Sequence, residues 1–133
     1  MRESFQGSCL CGAVRYETLT PPQALSHCHC SQCRKSHGAA FASYGSVLRG
    51  DLRILMGAQA LKSYASSASV VRQFCAHCGS PLFWSRSEGD YCDWVSVALG
   101  TLDTEFTSKK QRHIHVACKA PWYELLDHWP HFE

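Results

Sequence analysis

The chain has 133 residues, a length that suits one domain with a modest hydrophobic core. Its 13 basic and 11 acidic residues leave a formal net charge of +2, which is too nearly balanced to predict a nucleic-acid surface. A hydrophobic fraction of 45% is ordinary for a globular protein and argues against a disordered chain. Residues 1–10 carry no apolar signal-peptide core, and no stretch is long enough to span a bilayer, so we expect a cytoplasmic protein that does not enter membranes.

Nine cysteines in a chain of this size need an explanation. A secreted disulfide scaffold usually has a signal peptide and an even number of cysteines, and this sequence shows neither. Seven of the nine fall in close clusters with the spacing of metal ligands. Reduced thiolates on metal are therefore the better interpretation.

The first predicted elements are a turn and a strand. Residues 7–12 form a turn bracketed by glycines, in which Cys9 and Cys11 point to the same side because alternate residues of an extended chain do so. Residues 13–19 alternate apolar and charged positions, which predicts a strand that ends before Pro21.

The central feature of the sequence is a C-x-C-x-x-C triplet made of Cys28, Cys30 and Cys33, here called the three-thiol cluster. A short helical turn over residues 31–35 that ends at Gly38 would accompany it. Three thiolates on one zinc ion leave the fourth tetrahedral position free, whereas structural zinc sites are closed by four protein ligands. If this triplet binds metal by itself, it is the predicted site of chemistry.

The rest of the chain resembles a series of short strands. The predicted elements are strands at 39–44, 82–84 and 94–99, a hairpin of 61–66 with 69–74, and a short strand containing Ile114 and Val116. His113 and His115 would lie on the other face of that last strand, and we expect this face to be the outer surface. Many short strands and little helix predict a mainly antiparallel all-β fold, with residues 1–133 forming one domain.

Seven clustered cysteines divide naturally into four and three. Cys9 and Cys11 with Cys75 and Cys78, the last two in a C-x-x-C turn, would form a closed structural site that we call the four-thiol cluster. Spacing alone leaves two alternatives open. The triplet could share a site with one of the later cysteines, or His27, His29 or a distant residue could close a second structural site.

Several other side chains are candidates for supporting roles. Zinc with three thiolates carries a net charge of −1, and the adjacent cations Arg34 and Lys35 are candidates to balance it, with Arg34 also a candidate catalytic residue. His29 is interpreted either as a neighbour of the ligands or as an exposed turn residue. The expected packing residues are Trp84, Trp94 and Trp122 in the core or a pocket wall, and Cys92 and Cys118 as packed free thiols.

Four motifs resemble one known family, in the right order and over nearly the whole chain. They are Gly7-Ser8-Cys9-Leu10-Cys11-Gly12 with Val14-Arg15-Tyr16, Cys28-His29-Cys30-Ser31-Gln32-Cys33-Arg34-Lys35, Phe74-Cys75-Ala76-His77-Cys78-Gly79-Ser80, and His113-Ile114-His115-Val116 through Lys119-Ala120-Pro121-Trp122-Tyr123. They resemble the glutathione-dependent formaldehyde-activating enzymes, which are related to centromere protein V. The resemblance implies a β-tent fold with two zinc ions. One would be structural on Cys9, Cys11, Cys75 and Cys78, and one would be catalytic on Cys28, Cys30 and Cys33.

The leading hypothesis is therefore a carbon–sulfur lyase-type enzyme that acts on a glutathione–aldehyde adduct, with a small thiol and an aldehyde as partners. The family's named activity, which the resemblance implies, is condensation of glutathione with formaldehyde to S-hydroxymethylglutathione. The alternative hypothesis is a non-catalytic binding module in which both zinc ions are structural. No nucleic-acid partner is expected, and formation of a homo-oligomer stays open.

Overall fold

A computed structural model of the chain describes residues 4–133 as two β-sheets and a short α-helix. The strands are β1 (Phe5–Ser8), β2 (Arg15–Thr18), β3 (Gln23–Cys28), β4 (Ala42–Leu48), β5 (Leu52–Met56), β6 (Leu61–Ala65), β7 (Val70–Cys75), β8 (Pro81–Arg86), β9 (Trp94–Ala98) and β10 (Gln111–Ile114). Helix α1 spans Ser31–His37, and single 3-10 turns lie at Arg49–Asp51, Ala58–Ala60, Leu99–Thr101 and Val116–Cys118. Within this described part of the chain, no helix combines the length and hydropathy needed to cross a membrane.

The smaller sheet has the antiparallel order β1-β2-β5. In the central strand and the residue just before it, the fully buried Val14, Tyr16 and Thr18 alternate with the charged residues Arg15 and Glu17. The Tyr16 ring packs edge-on against Phe83 of the other sheet, with 5.1 Å between ring centroids. The two sheets are thus joined through the apolar face predicted from the alternation of residues 13–19.

The larger sheet has seven strands in the order β10-β3-β4-β9-β8-β7-β6. All its pairings are antiparallel except that of β10 with β3, which is parallel and places His113 beside His27 and Ile114 beside Cys28. This long-range pairing brings the C-terminal part of the chain next to the three-thiol cluster.

The core consists of two groups of buried side chains. The larger group lies between the sheets and includes four fully buried side chains, those of Tyr16, Val47, Leu82 and Val97. A fully buried side chain of this size stabilises the fold by about 1.5–3 kcal/mol relative to exposure. The smaller group includes two cysteines of the three-thiol cluster, and its members are Cys28, Cys33, Ala42, Tyr44 and Ala98.

The mainly antiparallel β fold with little helix is confirmed, but some local expectations differ. Helix α1 continues to His37 and ends at Gly38, whose left-handed φ of 58° suits glycine, so β4 begins at Ala42 rather than at residue 39. At the other end of the chain, His115 has a left-handed φ of 56° that ends β10 after Ile114.

Three expectations about exposure are wrong. His113 does not lie on the outer surface, because β10 pairs with β3 and the segment ending in Phe132 covers it, leaving it 1% exposed. Trp122 is 72% exposed rather than packed in the core or a pocket wall. Cys118 is an exposed thiol rather than a packed one, since it ends a 3-10 turn at the surface.

Candidate metal centres

The four-thiol cluster joins two distant parts of the chain. Cys9 and Cys11 lie in the turn between β1 and β2, while Cys75 ends β7 and Cys78 follows it, and their sulfurs all lie within 4.8 Å of one another. The Cys9–Cys11 and Cys11–Cys75 sulfur pairs are 3.7 and 3.9 Å apart. A zinc tetrahedron with Zn–S bonds of about 2.3 Å has S–S edges of about 3.8 Å. The four sulfurs therefore have a spacing that could hold a zinc ion.

Backbone amides face these sulfurs, as expected for thiolate ligands. The amide of Val14 donates to Cys9 Sγ, and that of His77 donates to Cys75 Sγ, both at 3.3 Å. The Ser80 hydroxyl lies 3.3 Å from Cys78 Sγ, and hydrogen bonding by Ser80 lowers the pKa of Cys78 to about 5. Such donors stabilise negative charge on sulfur, which is the form that binds metal.

The three-thiol cluster is built at the junction of β3 and α1. Cys28 ends β3, Cys30 caps the helix N-terminus and Cys33 lies in its first turn, with the three sulfurs within 4.8 Å of one another. Cys30 Sγ accepts the amide of Cys33 at 3.3 Å. No fourth cysteine, histidine or carboxylate of the described residues completes this group. The structure thus brings together both sets of cysteines predicted from spacing, as two separate clusters that could hold metal ions.

Arg72 supplies a buried positive charge to the three-thiol cluster, and the spacing of the cysteines gives no sign of it. Its side chain is 9% exposed, and its Nη2 donates to Cys33 Sγ at 3.7 Å, while its Nε donates to Ser66 Oγ at 3.1 Å. Hydrogen bonds from Cys28 and, to a smaller extent, from Arg72 lower the pKa of Cys33. The hydrogen bond between Cys28 and Cys33 raises the pKa of Cys28. Arg34 instead donates from Nε to the His29 carbonyl at 3.3 Å. Only the alternation of β7, which puts Arg72 on the same face as buried Val70, could have indicated its position.

The three-thiol cluster opens into a cavity of about 500 Å³. The other walls combine aromatic, basic and hydroxyl side chains, among them Tyr44, Trp84, Arg86, Ser96 and His115. The Arg86 guanidinium lies over the Trp84 ring, 5.3 Å from its centroid. Cys118 also lines this cavity. The expectation that Trp84 lines a pocket is met.

A buried chain of imidazoles supports the turn between Cys28 and Cys30. His29 is fully buried, and its Nε2 lies 2.8 Å from Nδ1 of His113, whose Nε2 lies 2.9 Å from Oδ2 of Asp127. Desolvation by burial, with repulsion from His113, lowers the pKa of His29 to about 4, so this imidazole is neutral. His29 is therefore a buried neighbour of the thiols, the first of the two interpretations given above.

His27 lies on the same strand but serves the sheet. Its two ring nitrogens are 2.8 Å from Ser43 Oγ and 2.8 Å from Gln111 Oε1. Both nitrogens are thus occupied by the neighbouring strands β4 and β10.

Similarity to known proteins follows the same residues. Residues 4–118 match the family model described as glutathione-dependent formaldehyde-activating enzyme. Over 130 residues the chain is 30% identical to a Halomonas elongata protein named for that activity, an alignment covering 91% of this chain and 80% of that protein. An uncharacterized lyase of Schizosaccharomyces pombe is 28% identical over 85 residues, covering 64% of this chain and 60% of the lyase.

A crystal structure of a Rhodobacter sphaeroides protein superposes with a TM-score of 0.62 at 28% identity, covering 76% of this chain and 90% of that one. The fold, the two cysteine clusters and the family match agree. This chain belongs to the glutathione-dependent formaldehyde-activating enzyme family.

Proposed function

We propose that the chain is a zinc-dependent carbon–sulfur lyase-type enzyme that forms or cleaves the adduct of a small thiol, such as glutathione, with formaldehyde or a related aldehyde. The observation that carries this proposal is the contrast between the two clusters. The four-thiol cluster has the ligands of a closed site, whereas the three-thiol cluster has one ligand fewer and borders a cavity.

The donor set suits zinc at both clusters, because thiolate sulfur is a preferred ligand of this ion. Cys9, Cys11, Cys75 and Cys78 would hold the structural ion, and Cys28, Cys30 and Cys33 the second ion, as the family resemblance implies. Zinc bound at the three-thiol cluster would supply activation of a thiol or polarisation of a carbonyl oxygen. The residues around the cluster then decide what can bind and how it is oriented.

Arg72 addresses the charge problem of such a site. Three thiolates and one zinc ion leave a net charge of −1, which opposes the approach of another anionic sulfur. Arg72 places a permanent positive charge 3.7 Å from one of these sulfurs, and its side chain is largely buried in the cavity wall. It is therefore the residue we assign to charge compensation, with Arg34 held by a backbone carbonyl nearby.

The cavity walls suit a polar thiol that carries carboxylates. Arg86 lies at the cavity and offers a second cation, while Ser26, Ser69 and Ser96 offer hydroxyls for hydrogen bonds. A cavity of about 500 Å³ falls in the range of small-molecule sites. Glutathione matches these features because it has two carboxylates, peptide groups and one thiol.

The reaction itself needs no redox partner. The thiol sulfur forms a bond to the aldehyde carbon, the carbon–oxygen π bond breaks, and the thiol proton ends on the former carbonyl oxygen. Cleavage of the adduct is the reverse. The protein contributes orientation of the two reactants and stabilisation of negative charge on sulfur or oxygen.

The test is the rate of exchange among formaldehyde, glutathione and S-hydroxymethylglutathione, measured by NMR on zinc-loaded protein. We expect the wild type to accelerate exchange and Cys33→Ser to lose the acceleration. Cys92→Ser is the matched control, because this thiol belongs to neither cluster. Equal rates with and without wild-type protein would sink the formaldehyde assignment and favour the binding module with two structural metals.

A further inference from the structure

A third group of metal-ligand side chains lies where the C-terminal segment crosses β10. His113 Nε2 is 2.9 Å from Asp127 Oδ2, His131 Nε2 is 3.8 Å from Asp127 Oδ1, and one ligand atom from each of the three residues lies within 4.8 Å of the others. We propose that these three residues, here called the tail cluster, bind a divalent transition-metal ion such as zinc. Two imidazole nitrogens and one carboxylate oxygen form a ligand set used by zinc and by other late first-row metals.

The backbone already holds the ligands of the tail cluster together. The amide of His113 donates to the Pro130 carbonyl, and the amide of Phe132 donates to the His113 carbonyl, both at 2.9 Å. His113 and His131 are thereby paired as an isolated parallel bridge. The other carboxylate oxygen of Asp127 accepts the amide of Trp129 at 3.0 Å. Little conformational freedom remains to be lost when an ion binds.

The surroundings of His113 are those of a metal ligand. Ligating histidines almost always engage their second ring nitrogen with a partner that fixes the ring. Nδ1 of His113 lies 2.8 Å from Nε2 of His29, and the ring is 1% exposed. The side chains of Asp127 and His131 are 35% and 38% exposed, so an ion can enter from solvent and complete its coordination with water.

The protons balance when an ion replaces the hydrogen bond. Without metal, His113 donates from Nε2 to Asp127, and His29 donates from Nε2 to Nδ1 of His113. With metal on Nε2 of His113, the His113 proton would lie on Nδ1 and be donated to Nε2 of His29, and the proton of His29 would lie on its Nδ1, which is buried and has no hydrogen-bond partner among the described residues. The two rings share two protons in both states, so binding requires no net release from this pair.

A hydrogen bond to His113 would account for the position of Asp127 without any ion, and the backbone bridge between His113 and His131 would account for the position of His131. His131→Ala is the informative substitution, because the backbone bridge does not need the imidazole, whereas a bound ion does. It removes one ligand of the tail cluster, leaves the His113–Asp127 hydrogen bond in place, and changes a residue that is well exposed. His128→Ala is the matched control, because His128 is adjacent in sequence but does not belong to the cluster.

The experiment measures zinc bound per chain at equilibrium dialysis, using the full-length untagged protein reloaded with excess zinc after chelation. We expect wild type and His128→Ala to bind one more ion than His131→Ala. Asp127→Asn should show the same loss of one ion, which guards against an effect specific to one variant. Equal zinc content in wild type, His131→Ala and Asp127→Asn would overturn the proposal, whatever the two cysteine clusters bind.

Discussion

Replacing Arg72 by glutamine tests whether this buried cation stabilises a metal complex on the three-thiol cluster. Two unit charges 3.7 Å apart, the Nη2–Sγ distance of Arg72 and Cys33, interact by about 4 kcal/mol at an effective dielectric constant of 20. The complex carries a net charge of −1 spread over several atoms, and the adjoining cavity admits water, so we expect about half of that. A loss of about 2 kcal/mol corresponds to roughly 30-fold weaker zinc binding.

The assay is transfer of zinc from the protein to a chromogenic chelator at graded chelator concentrations. The four-thiol cluster should release its ion in a separate phase that Arg72→Gln leaves unchanged, which provides an internal reference. Arg34→Gln is the matched control, since Arg34 follows Cys33 in sequence but donates to the His29 carbonyl. Arg72→Lys should recover part of the affinity because it restores the charge.

Two outcomes would refute this reasoning. The first is an unchanged affinity in Arg72→Gln, which would mean that the cation does not act on the complex. The second is an equal loss in Arg34→Gln, which would mean that any positive charge near the helix has the same effect. Thermal unfolding of the metal-free variants separates a loss of affinity from a loss of fold.

Three further predictions concern stability. Gly57→Ala would place a Cβ against the Ala13 carbonyl at a φ of 81°, so the free energy of unfolding in urea should fall by about 2 kcal/mol, and unchanged stability would contradict this packing. Burial, with repulsion from Arg72, lowers the pKa of His37 to about 4, while an unfolded histidine titrates near 6.5. Between these two pKa values the unfolded state binds more protons than the folded state, so the free energy of unfolding falls as pH drops from 7 to 5. His37→Gln should reduce that fall by about 1–2 kcal/mol. An identical pH dependence of stability in both proteins would rule this out. A strong chelator should lower the melting temperature of wild type more than that of Cys78→Ser, whose four-thiol cluster has already lost a ligand, and equal shifts would argue against metal there.

The cysteine clusters were predictable because their spacing is local. A C-x-C or C-x-x-C segment keeps its thiols close together whatever the rest of the chain does. Seven clustered cysteines can then be divided between metal sites in only a few ways. The antiparallel β class followed equally from short alternating segments. In each case the information lies within a few residues.

The cation and the imidazole chain could not be predicted in this way. Arg72 meets Cys33 only because β7 and the three-thiol cluster border the same cavity, and these residues are 39 positions apart. His113 is buried because β10 pairs in parallel with β3, and alternation alone put it on an outer face with His115. His115 adopts a left-handed backbone conformation that ends β10 at Ile114, so the strand alternation used for the prediction does not extend to His115.

The four-thiol cluster joins segments that are synthesised at different times. Cys11 can meet Cys75, which is 64 positions later, only after that part of the chain has left the ribosome. Closing a loop of that length costs conformational entropy, which an ion held by all four thiols would offset. Until then Cys9 and Cys11 lack two of the four thiols with which they would hold a metal ion.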